Sequence, residues 1–188
     1  MSNNTSDRID RFIALHRGPR AFVIANAFDA GSARALAGLG FAALATSSGA
    51  AAAVMGRRDG QLTRDEAIAH AQAIVQAVDV PVSADLENGF GATPQDAAET
   101  IRRAGADVLF APGLPDLDAV RTVCSALTKP LNFMVGIKGK SFSVAELEAA
   151  GVRRISLATS LYRAAMRGLL DAATEVRERG TFDYLNRL

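Results

Sequence analysis

Short apolar runs and longer stretches with helical spacing take turns along this chain. The runs 21–25, 42–46, 80–84, 106–111, 131–135 and 154–158 are bounded by Gly, Pro or polar clusters and predict buried strands. Between them lie the helical stretches. Ser6 or Asp7 can cap a first helix with Ile9, Phe12, Ile13 and His16 on one face, which makes His16 a surface residue near a helix end. Residues 33–39 predict a second. Thr63 with Glu66 and Ser143 with Glu146 have capping-box spacing, and Thr93-Pro94 places a cap before a first-turn proline. The helix over 64–77 has Ile68, Ala71, Ile74 and Val75 as its buried stripe, leaving His70 on the solvated side. Further helices are expected over 94–103, from Asp116 or Asp118 through about Leu127, and over 160–179. Six strands alternating with helices through short loops predict a parallel α/β fold.

The chemistry gathers where strands end. Asp85 and Glu87 follow the run 80–84 and stand one residue apart, so an extended chain sends both carboxylates to one face. Two hard oxygen ligands suit Mg2+ or Mn2+, and pairing with Arg or capping a turn is the structural alternative. Ser47, Ser48 and Gly49 follow the second run. Hydroxyls and backbone N–H groups there can hold a carboxylate or phosphate oxygen, or Ser47 and Ser48 can simply cap a helix. With Asn26, Asp29 and Asn132 these residues are expected on one rim of the sheet. No dinucleotide or P-loop fingerprint occurs.

Composition narrows the partners. The 188 residues are 49% hydrophobic with a net charge of +1, which predicts one domain over 1–188 with a substantial core and neither nucleic acid nor membrane as partner. A single cysteine, Cys124, excludes an internal disulfide framework, and its place among apolar neighbours in a helix predicts inert packing. A polar start and no long apolar run lead to the expectation of a soluble cytoplasmic protein.

Asn26-Ala27-Phe28-Asp29-Ala30-Gly31-Ser32, Ala45-Thr46-Ser47-Ser48-Gly49, Asp59-Gly60 and Ala84-Asp85-Leu86-Glu87-Asn88-Gly89 together resemble the isocitrate lyase/phosphoenolpyruvate mutase superfamily. Downstream, Gly105 to Leu114 is similar to that family's sixth strand, Lys129-Pro130-Leu131-Asn132 to its seventh and Gly151 to Ser156 to its eighth. The resemblance implies a β/α (TIM) barrel and a Mg2+-dependent lyase or hydrolase that cleaves a C–C or C–P bond of a small 2-oxo acid through an enolate. It makes Asp85 the direct metal ligand, with Asp59 and Glu87 in the metal shell. It makes Ser47, with Ser48, Gly49 and Asn132, the substrate-binding group, and Ser47 and Asp85 the candidate catalytic residues.

Between Arg103 and Gly105 the chain departs from that pattern, passing from what resembles the third helix directly to what resembles the sixth strand. The expectation is a barrel-like sheet shortened to about six β/α units. The two absent units are where the family keeps a further metal-shell Glu, a substrate-binding Arg and a mobile loop with a Cys. Three functions are compatible with this: the 2-oxo acid lyase or hydrolase, a degenerate metabolite-binding relative, and a structural interaction module. Open sheet edges further predict a homo-oligomer, dimer or tetramer, with Tyr162, Leu169, Leu170 and the tail 182–188 available to pack on a neighbouring copy.

Overall fold

The computed structural model describes residues 2–85, 109–110, 114–126, 130–139 and 141–187. The described elements, in chain order, are α1 (Ser2–Arg17), β1 (Phe22–Asn26), α2 (Ala30–Gly38), β2 (Leu44–Ala45), α3 (Ser48–Val54), α4 (Arg64–Ala77), β3 (Val82–Ser83), β4 (Leu109–Phe110), α5 (Leu117–Ala126), β5 (Leu131–Met134), α6 (Val144–Ala149), β6 (Arg154–Ser156) and α7 (Ser160–Arg179), followed by a 3-10 turn over Asp183–Arg187. The helix predicted over 94–103 lies outside the described residues.

All strand pairs are parallel, in the order β3-β2-β1-β6-β5-β4. Within each half, neighbouring strands are consecutive in sequence, and the first strand pairs with the last. That is the cyclic order of a β/α barrel, and among the described residues β3 and β4 are its two end strands. The fold is therefore the predicted parallel α/β, barrel-like sheet; residues 86–108, where two units were expected to be absent, lie outside the described residues.

Period-2 geometry gives the sheet two distinct faces. On the outer face, Ala25, Leu44 and Ile74 pack with Ala33, and Leu131, Phe133 and Ile155 pack with Val120, Leu147 and Val152. These clusters bury α2, α4, α5 and α6 against the strands. On the inner face Ile24, Ala43 and Ala45 pack against Phe12 and Leu15 of α1, so the first helix covers the N-terminal end of the strands. Arg8 and Arg11 fix it there through Asp79, just before β3.

Two helices roll differently from the expectation. In α4 the buried stripe is Ala67, His70, Ala71 and Ile74, while Ile68 and Val75 are 39% and 38% exposed. The small side chains of α2 let α4 approach on its alanine side, which turns His70 inward. In α1 the covered residues are Phe12, Leu15 and His16; Ile9 is 55% exposed. His16 is thus no surface residue: its ring sits edge-on to Phe12 and Phe22, with centroids 4.6 Å and 5.0 Å away. The alanine run that follows Gly49 is helical as well, forming α3.

Candidate functional site

The C-terminal ends of β1, β2 and β3 are tied together by side chains placed there by the strand registers. Asn26 ends β1 and is buried, and its amide bridges in two directions. Nδ2 donates to the Thr46 carbonyl at 2.7 Å, and Oδ1 accepts from the Leu157 N–H at 2.8 Å. A buried amide whose donor and acceptor are both used is a rigid strut. Thr46 continues the link, since its Oγ1 accepts the Asp85 N–H at 2.8 Å.

Asp85 turns its carboxylate toward the start of α3, where Oδ2 accepts the Ser48 N–H at 3.0 Å. Ser47 is the N-cap of that helix, with Oγ accepting from the Ala50 N–H at 3.4 Å. The capping reading of Ser47 is therefore realised. Asp59 arrives at the same turn from the loop after α3. A Cβ built on Gly49 would lie 3.1 Å from Asp59 Oδ2 and 3.1 Å from Thr159 Cγ2, so only glycine leaves this carboxylate room. Two of the three predicted metal-shell acids thus meet the first turn of one short helix, where free N–H groups favour negative charge. Glu87 lies outside the described residues.

Other predicted residues take different places. Asp29 is the N-cap of α2, accepting from Ser32 N at 2.6 Å, and its carboxylate is spent on that cap. Asn132 stands in register with Arg154, which pairs with Phe22 at the start of β1. Its amide bonds to Arg154 and to Ser156, the residue before Leu157, whose N–H reaches Asn26. Strand register is a non-local property, and the residue's own neighbours in sequence do not reveal it.

His70 is the residue that sequence reasoning missed. Its Nε2 lies 2.9 Å from the Phe28 carbonyl, which can only accept, so that nitrogen carries the proton. It also lines a cavity of about 10 Å³ with Thr46, Ser47, Ser48 and Asp85, close to the volume that admits one water. The i, i+3, i+4 pattern of Ala67, His70, Ala71 and Ile74 was the available signal. Cys124 is half-buried, and burial pushes its thiol pKa up while Arg153 pulls weakly the other way, consistent with inert packing.

Asp85, whose N–H donates to the Thr46 hydroxyl, and Asp59 present hard carboxylate oxygens at the start of α3. Magnesium is commonly held by one or two protein carboxylates while keeping several waters, so this donor set fits such an ion. Among the described residues no third Asp, Glu, His or Cys joins them.

Comparison with known proteins agrees with this fold. The family model described as phosphoenolpyruvate phosphomutase matches residues 12–104 and 102–177, two segments that meet where the sequence departs from the family pattern. The 2,3-dimethylmalate lyase of Eubacterium barkeri is 45% identical over 71 residues, or 37% of this chain and 25% of that protein, so the match spans about a quarter of that relative's length. A candidate lyase/mutase structure from Burkholderia cenocepacia J2315 is 33% identical, with 97% of this chain and 93% of that one covered and a TM-score of 0.90. Oxaloacetate acetylhydrolase in complex with oxalate shares the fold at 16% identity, with a TM-score of 0.81 over 92% of this chain and 88% of that one. With its cyclic parallel sheet, its acid-bearing strand end and a family match over most of its length, the chain belongs to the phosphoenolpyruvate phosphomutase family, within the PEP mutase/isocitrate lyase superfamily.

Proposed function

We propose that this chain is a divalent-metal-dependent lyase or hydrolase acting on a small 2-oxo acid by C–C or C–P bond cleavage. The observation that carries this reading is the convergence of Asp85 and Asp59 on the first turn of α3, where Asp85 is anchored by Ser48 and Asp59 abuts Gly49. Asp85 and Asp59, with Glu87, would hold Mg2+ or Mn2+. A divalent ion beside a carbonyl oxygen supplies stabilisation of the negative charge that develops there as an enolate forms. The remaining work belongs to the chain itself. The Asn26–Thr46–Asp85 links hold the Asp85 backbone in place, and the Ser48 N–H orients its carboxylate. The Ser47 hydroxyl and the Gly49 backbone are the groups proposed to receive the substrate carboxylate.

The names of the relatives support a small dicarboxylate substrate: oxaloacetate is a 2-oxo acid and dimethylmalate the corresponding kind of 2-hydroxy acid. A second reading is a metabolite-binding relative without turnover, since between Arg103 and Gly105 the sequence skips the stretch where the resembled family keeps a further metal-shell Glu and a substrate-binding Arg. The deciding experiment incubates the protein with a panel of 2-oxo acids, with and without Mg2+, and measures product release. Mg2+-dependent release of pyruvate, oxalate or acetate supports the enzyme, whereas metal binding without turnover supports the second reading.

The protein is further proposed to act in the cytoplasm as a homo-oligomer. After Tyr162, which packs on Phe28, α7 leaves its outward residues Leu169 and Leu170 59% and 58% exposed. Such an apolar face supports burial against a second copy. Among the described residues no helix is long and apolar enough to cross a membrane.

A further inference from the structure

The inner face of the sheet carries a cation with no counter-ion among the described residues. Arg154 opens β6, and its Nε donates to Asn132 Oδ1 at 2.9 Å. Asn132 Nδ2 donates in turn to Ser156 Oγ at 3.0 Å. The parallel register makes these contacts, setting Arg154 between Phe22 and Asn132 and Ser156 between Ile24 and Met134. Other arginines have carboxylate partners: Arg8 pairs with Asp79, Arg57 with Glu66 and Arg167 with Asp171. No described carboxylate pairs with Arg154, and no described aromatic ring stacks on it, although burial draws its pKa down to about 10. Desolvating a charge is costly unless an opposite charge joins it.

We propose that Arg154, oriented by Asn132, is the binding group for a small carboxylate anion on the inner face of the sheet. A guanidinium is a planar fork that matches both oxygens of a carboxylate. With Nε committed to Asn132, the two terminal nitrogens are the ones that meet the anion. None of this site's residues is one of the proposed metal-shell acids: on β1 the register partner of Arg154 is Phe22, four residues before Asn26, or roughly 13 Å along the strand.

Thermal unfolding in an acetate titration at constant ionic strength, without divalent metal, tests it. The wild-type protein is expected to show a saturable rise of about 5 °C in melting temperature, because a ligand bound only by the native state stabilises it. Arg154→Gln should abolish the rise. Asn132→Asp should abolish it as well, by supplying a carboxylate where the amide oxygen now accepts, while the protein still folds. Asp85→Asn should keep it. A wild-type response in Asn132→Asp overturns the proposal even if Arg154→Gln fails to fold, as does loss of the response in Asp85→Asn or a wild-type protein that ignores acetate.

Discussion

The carboxylate of Asp85, just beyond β3, accepts the backbone N–H of Ser48, 37 residues earlier in the chain, at 3.0 Å. This bond commits one carboxylate oxygen to the start of α3. Asp85→Asn keeps an acceptor for Ser48 and removes the charge, so it should fold like the wild type and lose at least about tenfold in Mn2+ affinity. Asp85→Ala should also lose about 1 kcal/mol of stability with the hydrogen bond. Calorimetric Mn2+ titration alongside denaturant unfolding separates the two effects, and unchanged affinity in Asp85→Asn would remove Asp85 from the metal site.

Ala158, between β6 and α7, has φ 51°, a left-handed conformation that a Cβ opposes. It lies next to Thr159, whose methyl packs against Gly49. Ala158→Gly relieves the clash, and despite the entropy that glycine adds to the unfolded chain it should raise stability by about 0.5–1 kcal/mol. A lower melting temperature in the glycine variant would show that no strain is stored there.

Acid should weaken α4 and α6 through their caps. The Glu66 carboxyl is held below its ordinary value of 4.5 by the Thr63 N–H first, then by Arg57 and the Thr63 hydroxyl. Glu146 is lowered likewise by the Ser143 hydroxyl and N–H. A carboxylate whose folded pKa is depressed contributes stability that is in place above the unfolded value and is lost as pH falls through the folded one. Denaturant midpoints measured between about pH 6 and about pH 3 should therefore fall less steeply in a Glu66→Gln, Glu146→Gln double variant than in the wild type. Parallel curves would refute this account.

The outward face of α7 offers a test of assembly. If Leu169 and Leu170 are buried between copies, light scattering at micromolar concentration should give a mass well above the 19.7 kDa of one chain. Replacing both with Glu should return it to the monomer, because a charge is costly to bury in an apolar contact. A monomeric wild type would end the oligomer proposal.

What the sequence determined by itself was local. The box Thr63–Glu66 and the box Ser143–Glu146 are each closed within four residues, and both helices begin where their caps are written. The strand–helix alternation likewise dictated parallel pairing, while the cyclic strand order was implied only by the family resemblance. Tertiary structure decided depth and direction. Period-2 geometry puts Asn132 on the inner face, but only pairing with Arg154 sets which side chains its amide meets there. Helical spacing gave α4 two competing apolar stripes, and the alanine-rich surface of α2 selected the one that carries His70. The meeting of Asp85 with Ser48 depends on Leu44 pairing with Val82. Register and packing sum interactions over residues distant in sequence, so no local window of the chain contains them.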